Sequence, residues 1–265
     1  MTAALDGRSV AVVGASSGIG RGVAMRAIRS GADVVVAARR VDRLQETVRD
    51  AGGGRVVRCD LLADGADAVV EEVRRGSSRL DVLFVSAGSA PLRRLAATSA
   101  EEWRHALETN VIGINRLIAA ALGLLDERSV VAVVSSEAAV APRSHLGAYG
   151  ASKAALEHSI EQWREEHPWL RVMTISLGAT VPTEFGNQFE AEETMEALTA
   201  WASAGHHQSA FMNTDEVCDV IVGALGLLLV APTVAVPRLC LRSPSPVATD
   251  ADAVRMSVAA SRQTT

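Results

Sequence analysis

The amino-acid sequence predicts an α/β fold in which a doubly wound parallel sheet carries helices on both faces. Short apolar segments alternate with longer segments of helical periodicity, beginning with SVAVV at residues 9–13. The short segments are continuously apolar, which is typical of parallel strands buried on both faces. Their strict alternation with helices predicts right-handed crossovers. The 265 residues show no break in composition before residue 240, so we expect a single domain.

Predicted strands and helices alternate over the first 175 residues. The strands are expected at residues 9–13, 33–37, 55–59, 81–85, 130–134 and 171–175. The helices are expected at residues 20–30, 42–50, 67–74, 100–125 and 149–166. Residues 180–213 contain no strand pattern and are long for a loop, which predicts a functional segment with its own short helices. Residues 1–242 would form the domain, and residues 243–265, which lack periodicity, a mobile tail.

Composition and charge argue against several classes of function. The net charge is −5, and 48% of the residues are hydrophobic, a globular balance without the basic footprint of nucleic-acid binding. Cys59, Cys218 and Cys240 lie far apart without a CxxC motif, so no disulfide framework or zinc site is expected. The His206-His207 pair has no second ligand pair at a suitable spacing, so no metal site is expected.

The N-terminus and the apolar runs predict a cytoplasmic protein. Asp6 and Arg8 precede any apolar run, so no signal peptide is expected. The longest uncharged apolar stretch, residues 220–231, is shorter than the ~20 residues that a membrane span needs. We therefore expect no membrane association.

Between the first strand and the first helix lies a glycine-rich turn. Its sequence is Gly14-Ala15-Ser16-Ser17-Gly18-Ile19-Gly20. Glycines at such a turn let the backbone approach a pyrophosphate, and the helix N-terminus adds N–H donors and a positive dipole end. A tight connection alone would also use glycine, but the position directly after a strand favours a dinucleotide site.

The ends of the next strands predict the cofactor. An arginine at the end of the second strand suits the 2′-phosphate of NADP, whereas an acid there would suit NAD. This strand ends at Arg39-Arg40 without an acid, so NADP(H) is favoured through Arg39 and NAD(H) remains an alternative. Asp60, followed by Leu61, could accept the adenine amino group or cap the next helix. Ala87-Gly88 offers a side-chain-poor surface for the cofactor.

Residue usage singles out a tyrosine and a lysine. Tyr149 is the only tyrosine and Lys153 the only lysine of the chain. In a helix they lie one turn apart on one face. A nearby ammonium favours the phenolate, so Lys153 is expected to lower the pKa of Tyr149 below its usual ~10. The pair would then donate or accept a proton near neutral pH. Ser136, at the end of the fifth strand, could hold a substrate oxygen beside Tyr149 or serve only as a cap.

Together these motifs resemble the short-chain dehydrogenase/reductase family over roughly residues 7–242. The resemblance implies a Rossmann-type sheet of seven parallel strands and hydride transfer between a nicotinamide and a carbonyl or alcohol carbon. The residues that carry it are Gly14-x-x-x-Gly18-Ile19-Gly20, Ala87-Gly88, Asn110, Ser135-Ser136 and Tyr149-x-x-x-Lys153.

The resemblance also assigns roles to these residues. Tyr149 would be the general acid/base, Ser136 would orient the substrate oxygen, and Lys153 would bind the nicotinamide ribose. Asn110 resembles the residue that holds a relay water at a helix kink, although it could be an ordinary polar helix residue. Thr183 falls where members contact the nicotinamide carboxamide.

The chain departs from the family pattern at two places. Val85-Ser86 stands where many members have Asn-Asn, so asparagine-mediated bonds between strands are expected to be lost. Leu177-Gly178 stands where the family usually has Pro-Gly, which frees an N–H and is expected to loosen the chain there.

Residues 184–212 are expected to cover a bulky, mainly apolar substrate. The same side chains could instead form a small satellite core, and His145 could line the pocket or face solvent. The apolar side chains of this segment are Phe185, Phe189, Met195, Leu198, Trp201, Phe211 and Met212.

The expected partners are a small carbonyl or alcohol substrate and further copies of the chain. Residues 103–125 and 149–166 resemble the helices through which family members form dimers and tetramers, so a homodimer or homotetramer is expected. The alternative function is a nucleotide-sensing protein that keeps the fold without catalysis. The complete Ser, Tyr and Lys set favours the enzyme.

Overall fold

The computed structural model describes residues 5–183, 189–206 and 209–246. Parts of three predictions lie outside these described residues. They are Phe185 of the segment expected to cover the substrate, His207 of the histidine pair, and residues 247–265 of the expected tail.

The strands of the described chain form one large and one small parallel sheet. In chain order they are β1 (Ser9–Val13), β2 (Asp33–Ala38), β3 (Arg55–Arg58), β4 (Val82–Val85), β5 (Val130–Ser136), β6 (Arg171–Leu177), β7 (Thr180–Val181), β8 (Met212–Asn213) and β9 (Arg238–Leu241). The large sheet has the order β3-β2-β1-β4-β5-β6-β9 and is parallel throughout. The predicted seven-stranded, doubly wound sheet is therefore confirmed.

Helices cover both faces of the large sheet. They are α1 (Gly18–Arg29), α2 (Val41–Ala51), α3 (Gly65–Gly76), α4 (Ala100–Leu107), α5 (Gly113–Ala121), α6 (Gly147–Glu166), α7 (Ala191–Ser203) and α8 (Thr214–Val230). Two apolar clusters, one on each face, make up the core. Ala11 and Val13 of β1 join α3, α5 and α6, whereas Val10 and Val12 join α1, α2 and α8. Continuous apolar strands are required because both faces are covered.

The register of the central strands brings their carboxyl ends to one level. Val13 of β1 lies opposite Ala37 of β2 and Val85 of β4, and Val85 lies opposite Val133 of β5. The residues that follow these four positions therefore meet at one edge of the sheet. In open α/β sheets this edge is where ligands bind.

The single helix predicted at residues 100–125 is interrupted. A π-helical turn, Glu108–Ile112, joins α4 to α5, and a 3-10 turn, Leu122–Leu124, ends the segment. Periodicity does not detect one inserted residue per turn, so the sequence pattern appears continuous. By length and composition Ala100–Leu124 could also cross a membrane. Its side chains Ile114, Leu117 and Ile118 are nevertheless fully buried in the core.

The prediction that residues 180–213 contain no strand is wrong. β7 pairs with β8 in a two-residue ladder, and α7 lies between them. Strands of two residues are too short to produce an alternating pattern. The last strand of the large sheet, β9, begins at Arg238, after α8 has ended at Val230.

Replacement of Leu117 by Ala should lower the free energy of unfolding by about 2–5 kcal/mol, because it removes a fully buried side chain and leaves a cavity. Leu227→Ala, on α8 and 63% exposed, should change it by no more than about 0.5 kcal/mol. Urea unfolding of both variants measures the difference. Equal losses would contradict the burial of this segment in the core.

Candidate active site

A cavity of about 1190 Å³ opens at the carboxyl edge of the large sheet. It extends from the glycine turn after β1 to the start of α6 and the face of α7. Every residue predicted for the site lines this cavity except Asn110. The predicted residues that line it are Gly14, Ser16, Ser17, Gly18, Ile19, Gly20, Arg39, Asp60, Leu61, Ala87, Gly88, Ser136, Tyr149, Lys153 and Thr183.

The glycine turn is packed too closely for side chains at two positions. Gly14 has a φ of 94°, and a Cβ there would lie 2.6 Å from the Ala87 nitrogen. A Cβ at Gly20 would collide with the carbonyl oxygen of Gly14. The Ser17 side chain does not cap α1, and the first turn of this helix has no acidic residue. The helix N-terminus therefore suits a phosphate group.

Arginines border the cavity beside this turn. Arg40 Nη2 donates hydrogen bonds to Ser16 Oγ at 3.0 Å and to Ser17 Oγ at 3.1 Å. Arg40 therefore contacts the glycine turn directly, although the cofactor prediction favoured Arg39. Arg43, in the first turn of α2, also lines the cavity. Arg43 is not among the predicted site residues, although its position shortly after Arg39-Arg40 was a usable signal.

Asp60 closes the turn before α3. Its Oδ1 accepts a hydrogen bond from the Leu62 N–H at 3.1 Å, and its carbonyl oxygen accepts from the N–H groups of Ala63 and Gly65. Asp64, not Asp60, is the N-cap of α3. Asp60 is therefore not a helix cap, and it still borders the cavity, where it can meet a ligand.

Tyr149, Lys153 and Ser136 come together on the cavity wall. The side chains of Tyr149 and Ser136 are hydrogen bonded to each other. Lys153 Nζ lies 5.8 Å from the centroid of the Tyr149 ring and donates a hydrogen bond to the carbonyl oxygen of Val134 at 2.9 Å. Both Tyr149 and Lys153 are buried, at 8% and 3% exposure.

Burial dominates the protonation of this pair. It raises the pKa of Tyr149 to about 12, although the hydrogen bond with Ser136 favours the phenolate. Burial also lowers the pKa of Lys153 to about 8, an effect that the charge of Glu157 opposes. The expectation that Lys153 lowers the pKa of Tyr149 below 10 is therefore wrong for the chain without cofactor. Removal of the phenol from water outweighs an ammonium on its ring face.

Asn110 lies in the π-helical turn, and its side chain faces the protein interior. Asn110 Oδ1 accepts from the Ser89 N–H at 2.8 Å. Its Nδ2 donates to the Ser89 carbonyl oxygen at 2.7 Å and to Ser152 Oγ at 2.8 Å. The Asn110 amide thus links the loop after β4 to α6. Its partner on α6, Ser152, lies between Tyr149 and Lys153 in the sequence. Ser152 was not among the predicted residues, and its only signal is its place between those two.

The described residues contain no group of three or more metal-ligating side chains. His206 lines the cavity, whereas His145 neither lines it nor faces solvent, contrary to both expectations. The His145 imidazole is buried, 3.5 Å from Glu196 of α7. Its φ of 66° places it at the sharp turn before α6.

Comparison with known proteins agrees with this geometry. The family model described as short chain dehydrogenase matches residues 8–194, more than half of the chain. The chain belongs to the short-chain dehydrogenase/reductase family. It is accordingly an oxidoreductase of the NAD(P)-dependent type, which favours the enzyme over a non-catalytic sensor.

Relatives of this dehydrogenase/reductase include proteins of several activities. Benzil reductase ((S)-benzoin forming) of Saccharomyces cerevisiae is 30% identical over 188 residues, covering 66% of this chain and 72% of that protein. Human dehydrogenase/reductase SDR family member 2, mitochondrial, is 31% identical over 235 residues, covering 83% and 80%. Glycine betaine reductase of Emericella nidulans is 33% identical over 197 residues, 71% of this chain but only 16% of that longer protein.

Solved structures show the same fold. The alcohol dehydrogenase of Thermococcus sibiricus, complexed with 5-hydroxy-NADP, has a TM-score of 0.76 at 23% identity and covers 90% of this chain and 97% of its own. A putative short chain dehydrogenase of Escherichia coli CFT073 has a TM-score of 0.64 at 25% identity and covers 76% and 91%.

Local bonds compensate for the two departures from the family pattern. The Ser86 hydroxyl, where many members have asparagine, lies 3.4 Å from the carbonyl oxygens of Val13 and Gly14 and still joins β4 to β1. The N–H of Gly178 donates to the Leu241 carbonyl oxygen at 2.9 Å and extends the pairing of β6 with β9. The expected loosening after β6 is therefore wrong, because Leu177 is paired with Ser136 of β5 and Leu241 of β9, and Gly178 extends the ladder with β9.

The described part of the segment expected to cover the substrate packs against Tyr149. Tyr149 shares a small apolar cluster with Ala197, Phe189 and Trp201, among others. The side chains of this segment that line the cavity are Phe189, Leu198, Trp201 and Phe211, whereas Met195 and Met212 do not. The satellite core therefore forms, through Phe189, Leu198 and Trp201, and the covering of a bulky substrate by this segment stays a prediction.

Ultraviolet titration of tyrosinate in the folded, cofactor-free enzyme should give a single midpoint because Tyr149 is the only tyrosine. The midpoint should lie at about pH 12 because Tyr149 is buried. Addition of oxidised cofactor, which brings a positive charge to the cavity, should move this midpoint to lower pH. Circular dichroism at each pH provides the control for unfolding. A midpoint below 10 in the folded, cofactor-free enzyme would contradict the effect of burial.

Proposed function

We propose that this protein is an NADP(H)-dependent oxidoreductase that transfers hydride between nicotinamide and the carbonyl or secondary alcohol carbon of a bulky apolar molecule. The observation that carries the proposal is the hydrogen-bonded pair of Tyr149 and Ser136 on the wall of one cavity that also contains the glycine turn.

The protein's side chains donate and accept the proton, while a bound nicotinamide would supply or accept the hydride. In reduction, the neutral phenol of Tyr149 donates its proton to the carbonyl oxygen. The Ser136 hydroxyl donates a hydrogen bond to the same oxygen and fixes its position. The ammonium of Lys153 stabilises the phenolate that remains, and in alcohol oxidation the phenolate accepts the proton.

The arginines beside the glycine turn support NADP(H) over NAD(H). Arg39, Arg40 and Arg43 border the cavity, and no acidic side chain occupies the end of β2. Guanidinium groups form charge-assisted hydrogen bonds with phosphate. The Thermococcus sibiricus structure with 5-hydroxy-NADP is consistent with this preference.

The substrate end of the cavity supports a bulky, mainly apolar ligand. Leu92, Leu146, Leu198 and Trp201 line it around Tyr149. The similarity to a benzil reductase also agrees with a large carbonyl substrate.

We further propose that the enzyme is a cytoplasmic homodimer or homotetramer without nucleic-acid or membrane partners. The net charge of −5 argues against nucleic acid. Ile112, which is 53% exposed in the long helical segment, would be covered by another copy.

Replacement of Tyr149 by Phe should lower kcat for ketone reduction by about 100- to 10,000-fold, the usual contribution of general acid–base catalysis. NADPH binding, measured by fluorescence titration, should be unchanged because the fold and the glycine turn remain. The assay follows NADPH consumption over a panel of ketones and aldehydes, with the matching alcohols in reverse. Retention of most activity would exclude the role of Tyr149, and tight NADPH binding without any wild-type turnover would favour the sensor.

Replacement of Arg39 by Ala should reduce kcat/KM for NADPH by about tenfold or more, because it removes charge-assisted hydrogen bonds to phosphate. The value for NADH should change little. Arg40→Ala should weaken both cofactors, since Arg40 also holds Ser16 and Ser17. Arg104→Ala, on α4 and away from the cavity, is the matched control. An unchanged preference for NADPH over NADH in Arg39→Ala would refute this cofactor assignment.

A further inference from the structure

A buried carboxylate continues the catalytic face of α6. Tyr149, Lys153 and Glu157 follow one another at intervals of four residues, so they lie on one face of the helix. Glu157 is only 7% exposed. Glutamate is rarely buried without a partner because removal of its charge from water is costly.

Two strands hold the Glu157 carboxylate in place. Its Oε1 accepts a hydrogen bond from Ser135 Oγ at 2.7 Å, and its Oε2 accepts from Arg238 Nη2 at 2.5 Å. Ser135 directly precedes Ser136 in β5, and Arg238 begins β9 at the edge of the sheet. Both carboxylate oxygens are thus fixed, and the negative charge stays near the end of β5.

Lys153 extends to the same part of β5. Its Nζ donates to the carbonyl oxygen of Val134, the residue before Ser135. This contact supplies a dipole but no counter-charge to a buried ammonium. The charge that acts on Lys153 in the described chain is that of Glu157, and it opposes the lowering of the Lys153 pKa by burial.

The other charged and titratable groups around this pair lie on α6 and β9. Tyr149 on α6 faces Lys153. The pKa of Arg238 on β9 is raised by its hydrogen bond with Glu157 and by the charges of Glu157, Cys240 and Glu161. None of these groups replaces the negative charge that Glu157 places beside Lys153.

We propose that Glu157 is a positioning residue of the proposed oxidoreductase, and that its carboxylate, fixed by Ser135 and Arg238, keeps Lys153 positively charged beside Tyr149. Only the effect on turnover depends on the proposed function. The effect on Lys153 itself can be observed without a substrate. The competing role is structural, in which the ion pair merely fastens α6 to β9.

The sole lysine makes the charge of Lys153 directly observable. Protein grown on lysine labelled with carbon-13 at Cε gives a single lysine Cε resonance, and its titration reports Lys153 alone. The wild-type midpoint is expected at about pH 8. Glu157→Gln keeps the shape of the side chain but removes the charge, so the midpoint should fall by about one pH unit.

Arg238→Met separates the two roles. It breaks the same ion pair between α6 and β9 but leaves the Glu157 carboxylate, so the Lys153 midpoint should stay at the wild-type value or rise. Glu157→Leu, a second neutral replacement of similar volume, should lower the midpoint as Glu157→Gln does, and it serves if the glutamine variant does not fold. Glu157→Asp, which retains the charge, should restore most of the wild-type midpoint.

Activity provides the second measurement. The alkaline limb of the pH profile of kcat/KM should move to lower pH in Glu157→Gln, and in Arg238→Met it should stay in place or move to higher pH. An unshifted Lys153 midpoint in the neutral variants, or equal shifts in Glu157→Gln and Arg238→Met, would overturn the proposal. Absence of turnover in the wild type would refute the proposed function, while the Lys153 titration would still decide the role of Glu157.

Discussion

The parallel register of β1, β4 and β5 is the constraint on which the site depends. Val13, Val85 and Val133 stand side by side in the sheet. The chain that leaves these positions must therefore supply a glycine turn, a side-chain-poor turn and a serine to the same edge. No single one of these segments forms a site. The cavity exists because the apolar strands cannot slide past one another without losing the pairing and burial that hold both layers.

Desolvation is the second force that shapes this site. The phenol of Tyr149 and the ammonium of Lys153 are removed from water, and α7 packs against Tyr149. Burial favours the neutral form of each group, so the ordinary order of their proton affinities is inverted. Such a pair is unsuited to a purely structural position, because either charge is costly there. It is suited to a reaction in which the proton leaves and returns within one closed space.

Much of the architecture could be predicted because its signals are local. Continuous apolar strands, the glycine turn after β1 and the spacing of Tyr149 and Lys153 each require only neighbouring residues. The contacts that remained hidden join distant parts of the chain. The resemblance implied a helix kink at Asn110, but no feature of residues 100–125 indicates that its side chain is hydrogen bonded to Ser89 and Ser152.

The direction of the pKa shifts and the contacts of Arg40 could not be predicted from the sequence either. The four-residue spacing correctly suggests proximity of Tyr149 and Lys153, but it contains no information on how much water remains around them. No local pattern in the sequence indicates that Arg40 donates hydrogen bonds to Ser16 and Ser17. Depth of burial and side-chain direction are properties of the assembled layers.

The packing of α7 on Tyr149 has a thermodynamic consequence. Ala197 of this helix is completely buried in the cluster that contains the phenol ring. Docking of α7 and ionisation of the phenol are then linked equilibria, and each must disfavour the other by the same free energy. Proton loss from the tyrosine loosens the helix, and departure of the helix makes proton loss easier. The protonation of Tyr149 and the docking of α7 therefore change together.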